Sequence, residues 1–290
     1  MNTLTKNIIM LPFNALYKIS PEIELKILFY LKQHYKLNLD HPRTYNEKLQ
    51  WIKLHDRNQL MPVCCDKFLV RKYVQDQGCS EILNTLIWEG FNPEEIPFDK
   101  LPEKYVIKVT HGSTFNIINN GSKNINKELI IKKCKKWLST KFLPCYGEWF
   151  YGIKTPRVII EKFLVSSDED KQLRDYKVFC FNGEAKLIKV DSDRSIGLKS
   201  DFYDKNWERI DNAGMGYPRS GRNIDRPLCL DKLINYAEKL SQPFKHARVD
   251  FYIIGNNVIF GEITFTTGAG FDKFSSYEFD LEMGSWLDID

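Results

Sequence analysis

A β-hairpin is predicted by the stretch Arg248-Val249-Asp250-Phe251-Tyr252-Ile253-Ile254, the turn Gly255-Asn256-Asn257 and the stretch Val258-Ile259-Phe260-Gly261-Glu262-Ile263-Thr264. A three-residue loop centred on Asn256 places Asp250 opposite Glu262 and Arg248 opposite Thr264. Because side chains alternate between the two faces of a strand, these four polar residues share one face. The other face then collects apolar residues that would pack in the core: Val249, Phe251, Ile253, Ile259, Ile263 and Phe265.

The two facing carboxylates need a compensating cation. Directly opposed side chains on paired strands lie about 5 Å apart, and like charges at that distance destabilise the sheet. Arg248 alone is one possible partner. A Mg²⁺ ion held by Asp250 and Glu262 is the other, because hard oxygen ligands at this spacing suit Mg²⁺ with water and phosphate as its remaining ligands.

A lysine stands inside an apolar strand at Tyr105-Val106-Ile107-Lys108-Val109, which runs into the loop Thr110-His111-Gly112-Ser113. A buried ammonium is costly unless an anion meets it. Backbone amides of the loop at Gly112 and Ser113 would cradle the same anion, and a phosphate accounts for both features. The alternative is that Lys108 extends from an edge strand into solvent.

Composition limits the classes of function. The chain has 290 residues, 43% of them apolar, and a net charge of +4 that lies entirely within residues 1–60, which carry nine basic and five acidic side chains. The balanced charge of the remaining chain argues against a nucleic-acid partner. The seven cysteines contain no C-x-x-C pair, which disfavours a zinc ribbon, and reduced thiols together with the absence of a signal-like leader predict a cytoplasmic protein.

The first part of the chain is predicted to be helical. A helix begins at Ser20-Pro21, and a second runs from Asn46 to His55. Apolar residues fall nearly all round the first of these helices, which favours burial against the second in a packed accessory pair. Lysines at positions 18, 26, 32 and 36 keep open a peripheral membrane contact through residues 1–45.

The rest of the pattern predicts an α+β chain. Helices are expected at Asp66–Val74, Lys127–Leu138 and Leu230–Leu240, with a polar loop at 168–171. Strands are expected, besides those of the hairpin, at Ile82–Ile87, Tyr105–Val109, Arg157–Leu164, Tyr176–Phe181 and Ala185–Val190.

Four motifs in this order resemble the TupA-like branch of the ATP-grasp superfamily, a branch linked to teichuronopeptide and other surface-polysaccharide synthesis. The motifs are Tyr45-Asn46-Glu47-Lys48-Leu49-Gln50-Trp51, Lys108-Val109-Thr110-His111-Gly112-Ser113, Asp175-Tyr176-Lys177-Val178-Phe179-Cys180-Phe181-Asn182-Gly183 and Gly261-Glu262-Ile263-Thr264-Phe265-Thr266. The resemblance implies an ATP-grasp fold, in which two α+β lobes hold ATP between them. With an N-terminal helical segment, the expected divisions are 1–60, 61–160 for the lobe with the phosphate loop, and 161–290 for the lobe with the hairpin.

The resemblance also implies roles for the matching residues on the nucleotide. Lys67 and Lys108 match phosphate-contacting lysines, and Gly112 and Ser113 match the flexible loop that covers the phosphates. The adenine hinge and the ribose contact match a further set: Glu161, Lys162 and Leu164 at the hinge, and Asp175 with Lys177 at the ribose hydroxyls.

At the reaction centre, the resemblance implies that Asp250 and Glu262 hold Mg²⁺ and that Arg248 acts with Lys108 beside the transferring phosphate. The turn containing Thr267 and Gly268 matches a substrate-binding turn in relatives. Many relatives have Asn at the position of Thr264, and a hydroxyl is a poorer metal ligand than an amide oxygen. Arg194, at a strand end, is a candidate acceptor contact, with a salt-bridged turn as the alternative.

The function implied is an ATP- and Mg²⁺-dependent carboxylate–amine ligase that works through an acyl-phosphate. Its expected partners are a small amine and a sugar acid, free or carried on a nucleotide or lipid. A kinase that phosphorylates a hydroxyl from the same site is one alternative. A nucleotide-sugar glycosyltransferase is another, because Asp191-Ser192-Asp193 has the D-x-D spacing with which such enzymes hold a metal and a diphosphate.

Overall fold

The computed structural model describes residues 8–122, 125–166, 173–194 and 196–290. The polar loop predicted at 168–171 lies outside these ranges. Within them the α-helices are α1 Leu11–Ile19, α2 Pro21–Gln33, α3 Tyr45–His55, α4 Met61–Cys64, α5 Val70–Asp76, α6 Lys127–Leu138, α7 Leu230–Ser241 and α8 Tyr277–Ser285. The strands are β1 Leu86–Gly90, β2 Lys104–Val109, β3 Asn116–Asn120, β4 Val158–Lys162, β5 Asp175–Phe181, β6 Glu184–Ser192, β7 Lys199–Tyr203, β8 His246–Ile254 and β9 Asn257–Thr264.

The strands form two antiparallel sheets. The first sheet has four strands in the order β1-β4-β2-β3, and the second has five in the order β7-β6-β5-β8-β9. Sheets that are antiparallel and covered by helices on one side are typical of the α+β class, so the predicted fold class is confirmed.

Each sheet packs one face against helices. In the first sheet, Ile107 and Ile160 contact an apolar cluster that includes Ile130 and Cys134 of α6. The second sheet supplies a larger core, to which α3, α7 and α8 contribute Leu49, Leu233, Leu240, Phe279 and Met283 among others. Because strand side chains alternate, the opposite face of each sheet is left for polar residues.

Helix α3 is fixed to this core by its cap. Thr44 accepts a hydrogen bond from the Glu47 amide at 3.1 Å, and Glu47 accepts one from the Thr44 amide at 3.1 Å. This reciprocal pair is a capping box, which satisfies two amides that the first turn of a helix leaves without partners. The fixed start of α3 places Tyr45, which is fully buried, against the second sheet.

Helix α1 was not predicted, and helix α2 differs from its prediction. In α2, Leu25, Leu28 and Phe29 are buried, but Ile23 and Ile27 on the other side are exposed. The expectation that the helix is buried all round is therefore wrong, because only one side packs against the protein. None of the helices in the described ranges has the length and apolar content needed to cross a bilayer.

Other elements also depart from the expected pattern, among them helices α4 and α8, which were not predicted. The predicted strand Ile82–Ile87 is a 3₁₀ turn at Ser80–Ile82 followed by β1, and α5 begins at Val70 instead of Asp66. Strands β3 and β7 were not predicted, because their short sequences are polar and lack a clear alternation.

All seven cysteines are free thiols, and six of them are buried.

Candidate active site

The β8–β9 hairpin pairs Asp250 with Glu262 and Arg248 with Thr264, as predicted. The loop, however, is not the expected three residues. It contains only Gly255 and Asn256, because Ile254 already pairs with Asn257. The register then shifts between Asp250 and Phe251, which leaves Gly261 as an unpaired bulge residue.

The bulge changes which residues face the core. Between the bulge and the turn, Phe260 pairs with Phe251, and Ile259 pairs with Tyr252. Cross-strand partners lie on the same face of a sheet, so Phe260 takes the core position that was predicted for Ile259. The rings of Phe251 and Phe260 make an edge contact with centroids 6.4 Å apart. The prediction for Ile259 is therefore wrong.

Gly261 permits the bulge because no side chain fits at its position. A Cβ atom there would lie 2.9 Å from the backbone oxygen of Asp250, which is closer than carbon and oxygen approach without overlap. A glycine is thus required at the point that brings the two carboxylates together.

Asp250 is buried and held by two cations. Arg248 donates to both of its carboxylate oxygens, at 2.6 Å and 2.8 Å, and the Lys177 ammonium donates to Oδ2 at 2.5 Å. Lys177 is the cross-strand partner of Asp250 in the β5–β8 pair. Burial alone raises the pKa of Asp250, but Arg248 and Lys177 outweigh it and hold the pKa below its ordinary value.

Glu262 is less tightly held. Its side chain is 38% exposed, with Lys67 Nζ at 3.3 Å and Arg248 Nη2 at 3.6 Å. Burial and the nearby Asp250 both raise the pKa of Glu262. The cations Lys67 and Arg248 outweigh them, so the pKa lies below its ordinary value. Lys67 also donates to the carbonyl of Gly112 at 3.0 Å, which links the phosphate loop to this carboxylate.

The donor set fits Mg²⁺ when a phosphate is also present. Two ionised carboxylates stand opposite each other on one cavity wall, and Mg²⁺ is commonly bound by one or two carboxylates plus substrate phosphates and water. Across the described ranges, no group of three or more His, Cys, Asp or Glu side chains is placed to hold a metal unaided. The Thr264 hydroxyl accepts from Arg248 at 3.1 Å, so Asp250 and Glu262 are the better candidates for metal ligands.

A cavity of about 840 Å³ lies between the two sheets and is lined by most of the predicted site residues. From the first sheet and its neighbouring loops it receives Lys67, Lys108, Gly112 and Ser113. From the second sheet and its loops it receives Asp175, Lys177, Arg194, Arg248, Asp250, Glu262 and Thr267. The structure thus collects residues that are distant in sequence around one space large enough for a small ligand.

Lys108 has an anionic partner within the protein. Its ammonium donates to Glu161 Oε2 at 2.7 Å, and Arg71 donates to Glu161 Oε1 at 3.2 Å. Glu161 is buried, so its carboxylate contacts these cations and does not line the cavity. Glu161 therefore satisfies the Lys108 ammonium without a phosphate, and because Lys108 also borders the cavity, its contact with a phosphate stays a prediction.

The other two predicted hinge residues, Lys162 and Leu164, line a second cavity of about 590 Å³. Its walls include Ile82, Leu83 and Ile259. Ile259 pairs with Tyr252, which lines the larger cavity, so both cavities border the β8–β9 strand pair. Half of the residues that line the smaller cavity are apolar, so it offers both apolar contacts and polar groups to a flat ring.

Asp175 stands beside Lys177 at the start of β5. Its buried carboxylate accepts from Arg194 and lies 3.8 Å from Lys177 Nζ. Arg194 is 57% exposed, so both predictions for it are compatible with its position: it forms a salt bridge, and it also borders the cavity.

Side chains of α3 hold the turn Thr267–Gly270 by hydrogen bonds to its carbonyl groups. Lys53, fully buried, donates to the carbonyls of Ala269 and Tyr146, each at 2.7 Å, and Gln50 donates to Gly270 O at 2.6 Å. Gly268 and Ala269 both have left-handed backbone angles, with φ of 52° and 58°. Thr267 lines the cavity, whereas Gly268 does not, so Gly268 shapes the turn without bordering the space.

Thr267 also connects the cavity to the core. The Tyr45 hydroxyl hydrogen-bonds to the Thr267 hydroxyl at 2.8 Å and to His246 Nε2 at 3.0 Å, and Thr267 donates to Asp272. Burial lowers the pKa of His246 to about 4, so its ring is neutral near pH 7. The chain of polar groups fixes the Thr267 hydroxyl in one orientation.

Five more residues line the cavity: Lys189, Asp191, Tyr217, Asp272 and Lys273. Asp191 was considered only in the D-x-D alternative, and the other four were not predicted. Lys189 and Asp191 had a usable signal, since they pair with Lys177 and Asp175 across β5 and β6. Burial raises the pKa of Asp272, and it lowers that of Lys189 despite the opposing effect of Asp191. Tyr217 and Lys273 come from irregular segments, for which the sequence offers no periodicity.

The D-x-D segment does not form one site. Asp191 accepts from Ser200 at 2.6 Å, whereas Asp193 accepts from Arg222 and does not line the cavity. The two carboxylates therefore have different partners, which disfavours the shared metal of a glycosyltransferase.

Comparison with known proteins gives one family and a group of similar structures. Residues 47–288 match the family model described as TupA-like ATPgrasp. A search of curated proteins found no match. The D-alanine–D-alanine ligase of Bacillus anthracis is 16% identical, with a TM-score of 0.45 over 77% of this chain and 66% of that one.

Two further structures are similar at the same level. The Bacillus anthracis ligase complexed with ATP is 18% identical, with a TM-score of 0.41 over 70% of this chain and 55% of that one. The D-alanine–D-alanine ligase of Helicobacter pylori is 14% identical, with a TM-score of 0.46 over 84% and 69%. The chain therefore spans between 55% and 69% of the length of these three structures.

Proposed function

The chain belongs to the TupA-like ATP-grasp family, and from this premise we propose that it is an ATP- and Mg²⁺-dependent ligase that joins a carboxylate to an amine. One observation carries the proposal: Asp250 and Glu262 face each other on a cavity wall that also presents Lys67, Lys108 and Arg248. Two acids for a metal and three cations for phosphate are the charges that phosphoryl transfer needs.

The nucleotide would extend between the two cavities, which both border β8 and β9. The purine would occupy the smaller cavity beside Lys162 and Leu164, and Asp175 would contact the ribose hydroxyls. The triphosphate would then reach Lys67 and Lys108. Mg²⁺, held by Asp250, Glu262 and phosphate oxygens, would neutralise charge on the transferring phosphoryl group.

The reaction proposed has two steps. A carboxylate oxygen of the substrate attacks the γ-phosphorus, the bond to the bridging oxygen breaks, and ADP leaves with that electron pair. The amine nitrogen then attacks the acyl carbon, phosphate leaves, and the amine proton passes to a base. In this scheme Arg248 and Lys108 stabilise the negative charge that develops on the oxygens around the transferred phosphorus.

Further charged residues of the cavity lining support a ligase over a kinase. They are two cations, Lys189 and Lys273, and two carboxylates, Asp191 and Asp272, and Asp191 lies 3.3 Å from Lys189 Nζ. A substrate carboxylate and a protonated amine would each find an opposite charge there, whereas a sugar hydroxyl needs neither. We propose a sugar acid and an amino acid or similar amine as substrates, in the synthesis of capsule, O-antigen or a related surface polysaccharide.

The test is nucleotide binding followed by product analysis. ATP binding measured by calorimetry with and without Mg²⁺ should be tight only with the metal, and Glu262→Gln should abolish the metal dependence. Asp193→Asn is the matched control, since Asp193 is an acid outside the cavity lining. No binding of any adenine nucleotide would refute the proposal, and UDP binding that Asp193→Asn abolishes would favour a glycosyltransferase. With acceptors present, a stable phosphate ester would identify a kinase.

A further inference from the structure

Helices α1 and α2 expose a disproportionate share of the large apolar side chains. Among the described residues, eighteen large hydrophobic side chains are exposed, and eight of them lie between residues 8 and 31. Those eight are Ile8, Ile9, Leu11, Ile19, Ile23, Ile27, Tyr30 and Leu31. Exposed apolar residues are ordinary when scattered, but a concentration in so short a segment marks an interaction surface.

These side chains form stripes along the helices. In α2, residues 23, 27, 30 and 31 follow the spacing of one helix face, and the opposite face packs Leu25, Leu28 and Phe29 into the protein. Ile19, at the end of α1, is 82% exposed and is separated from α2 by Ser20 alone. The apolar residues that surround α2 therefore form two faces: one packs against the protein, and the other is exposed.

Basic residues flank the stripes. Lys18 and Lys36 are exposed. Lys26 follows Ile23 by three residues and precedes Tyr30 by four, so it is a neighbour of both on the surface of α2. Residues 8–36 contain two acids: Glu24 is fully buried, and Glu22 is paired with Lys26 at 2.5 Å. The outward surface thus combines apolar side chains with a positive charge.

We propose that this surface, formed by α1 and α2, binds the face of an anionic lipid bilayer. Amphipathic helices of this kind lie in the plane of the membrane, with the apolar face among the acyl chains and lysines at the headgroups. A second copy of the chain is a poorer occupant, because its surface would bring lysines against lysines and offer few acids in return. The inference does not depend on the ligase activity.

Cosedimentation with lipid vesicles tests the proposal. The full chain should bind vesicles rich in phosphatidylglycerol, and Ile23→Ser/Ile27→Ser should lower the partition coefficient by about tenfold or more. Lys18→Gln/Lys36→Gln should lower it by roughly fivefold for each lysine, and added salt should have the same effect. The matched control is Ile153→Ser/Leu129→Ser, which removes two apolar side chains of similar exposure elsewhere and should leave the partition unchanged.

Thermal unfolding and ATP binding of each variant show whether the fold is intact, because the substituted side chains are exposed. Equal binding to neutral and anionic vesicles would overturn the proposal, as would equal loss in the control variant. A dimer in size-exclusion chromatography with light scattering that Ile23→Ser/Ile27→Ser dissociates, without vesicle binding, would assign the surface to a second copy instead.

Discussion

The two sheets both present acids and bases near the cavity, but they hold them differently. In the first sheet, each oxygen of the buried Glu161 has its own cation, at 2.7 Å from Lys108 and 3.2 Å from Arg71. In the second, Asp250 is held as tightly, yet its neighbour Glu262 is 38% exposed and no closer than 3.3 Å to a cation. The close ion pairs of Glu161 indicate a structural role. The longer ion pairs of the more exposed Glu262 would be easier to replace by contacts to a metal ion.

Asp250→Asn should have the largest effect on stability. It leaves Arg248 and Lys177 without their shared anion inside the protein, and breaking a buried ion pair in this way costs about 3 kcal/mol. Urea denaturation would measure the change in the free energy of unfolding. Glu262→Gln is the matched variant, and it should cost less than about 1 kcal/mol because its ion pairs are long and partly exposed. Equal losses in the two variants would remove the distinction between the carboxylates.

Gly261→Ala should be the next most damaging change. The added methyl group would lie 2.9 Å from the Asp250 carbonyl oxygen, so the bulge must open, at a cost of about 1–3 kcal/mol. Displacing the carboxylates should also weaken Mg²⁺-dependent ATP binding, on the order of tenfold. Calorimetric titration and urea unfolding would report the two effects.

Gly255→Asn provides the control in the same hairpin. Gly255 has φ of 60° with open space where a side chain would extend, and Asn tolerates this conformation. The variant should stay within about 0.5 kcal/mol of the parent. If it weakens ATP binding as much as Gly261→Ala does, the bulge has no special role.

The β8–β9 hairpin shows how much of the site geometry can be predicted from the sequence. The pairing of Asp250 with Glu262 was predicted from alternation of polar and apolar residues, and it is correct although the assumed loop is one residue too long. The bulge at Gly261 compensates for the shorter turn, and its position depends on a close approach to Asp250 that no local pattern encodes. The same limit explains Ile259, whose face is reversed by the bulge.

The family and the fold class were also predicted and are confirmed. Glu161 was assigned to the adenine hinge because it occupies the matching position in a strand. Its actual partners, Arg71 and Lys108, come from other elements, and only tertiary packing brings those charges together. Tyr217 and Asp272 were missed for the same reason, since they reach the cavity from irregular segments.

Lys53 predicts a pH dependence of stability that arises in helix α3. Burial lowers the pKa of this lysine to about 7, while in the unfolded chain it keeps its proton up to about 10.5. Between these values the unfolded state binds more protons, so the free energy of unfolding should rise with pH, by at most about 1.4 kcal/mol per unit. Lys53→Met should lack this rise. Urea midpoints of both proteins above pH 7 would show it, and a constant difference between them would contradict the assignment.

The choice of that pH window excludes a competing group. Burial raises the pKa of Glu24 to about 7, so Glu24 makes stability fall as the pH rises from 4.5 toward 7. Well above pH 7 it is ionised in both states. Lys189 and the buried cysteines also change the slope there, but they do so in both proteins, so the difference between the parent and Lys53→Met belongs to Lys53.

The smallest effect on stability is expected for Arg194→Ala. This variant tests whether an exposed ion pair at the cavity edge stabilises the protein as much as the buried ion pairs do. Arg194 is 57% exposed, and Asp175 retains Lys177 at 3.8 Å, so the free energy of unfolding should fall by less than about 0.5 kcal/mol. Arg209→Ala is the matched change, because Arg209 is 27% exposed and pairs with the fully buried Asp201 at 2.9 Å. It should cost about 1–3 kcal/mol by leaving that carboxylate poorly satisfied. A larger loss in Arg194→Ala than in Arg209→Ala would mean that the rim, and not the buried cluster, supports the second sheet at this edge.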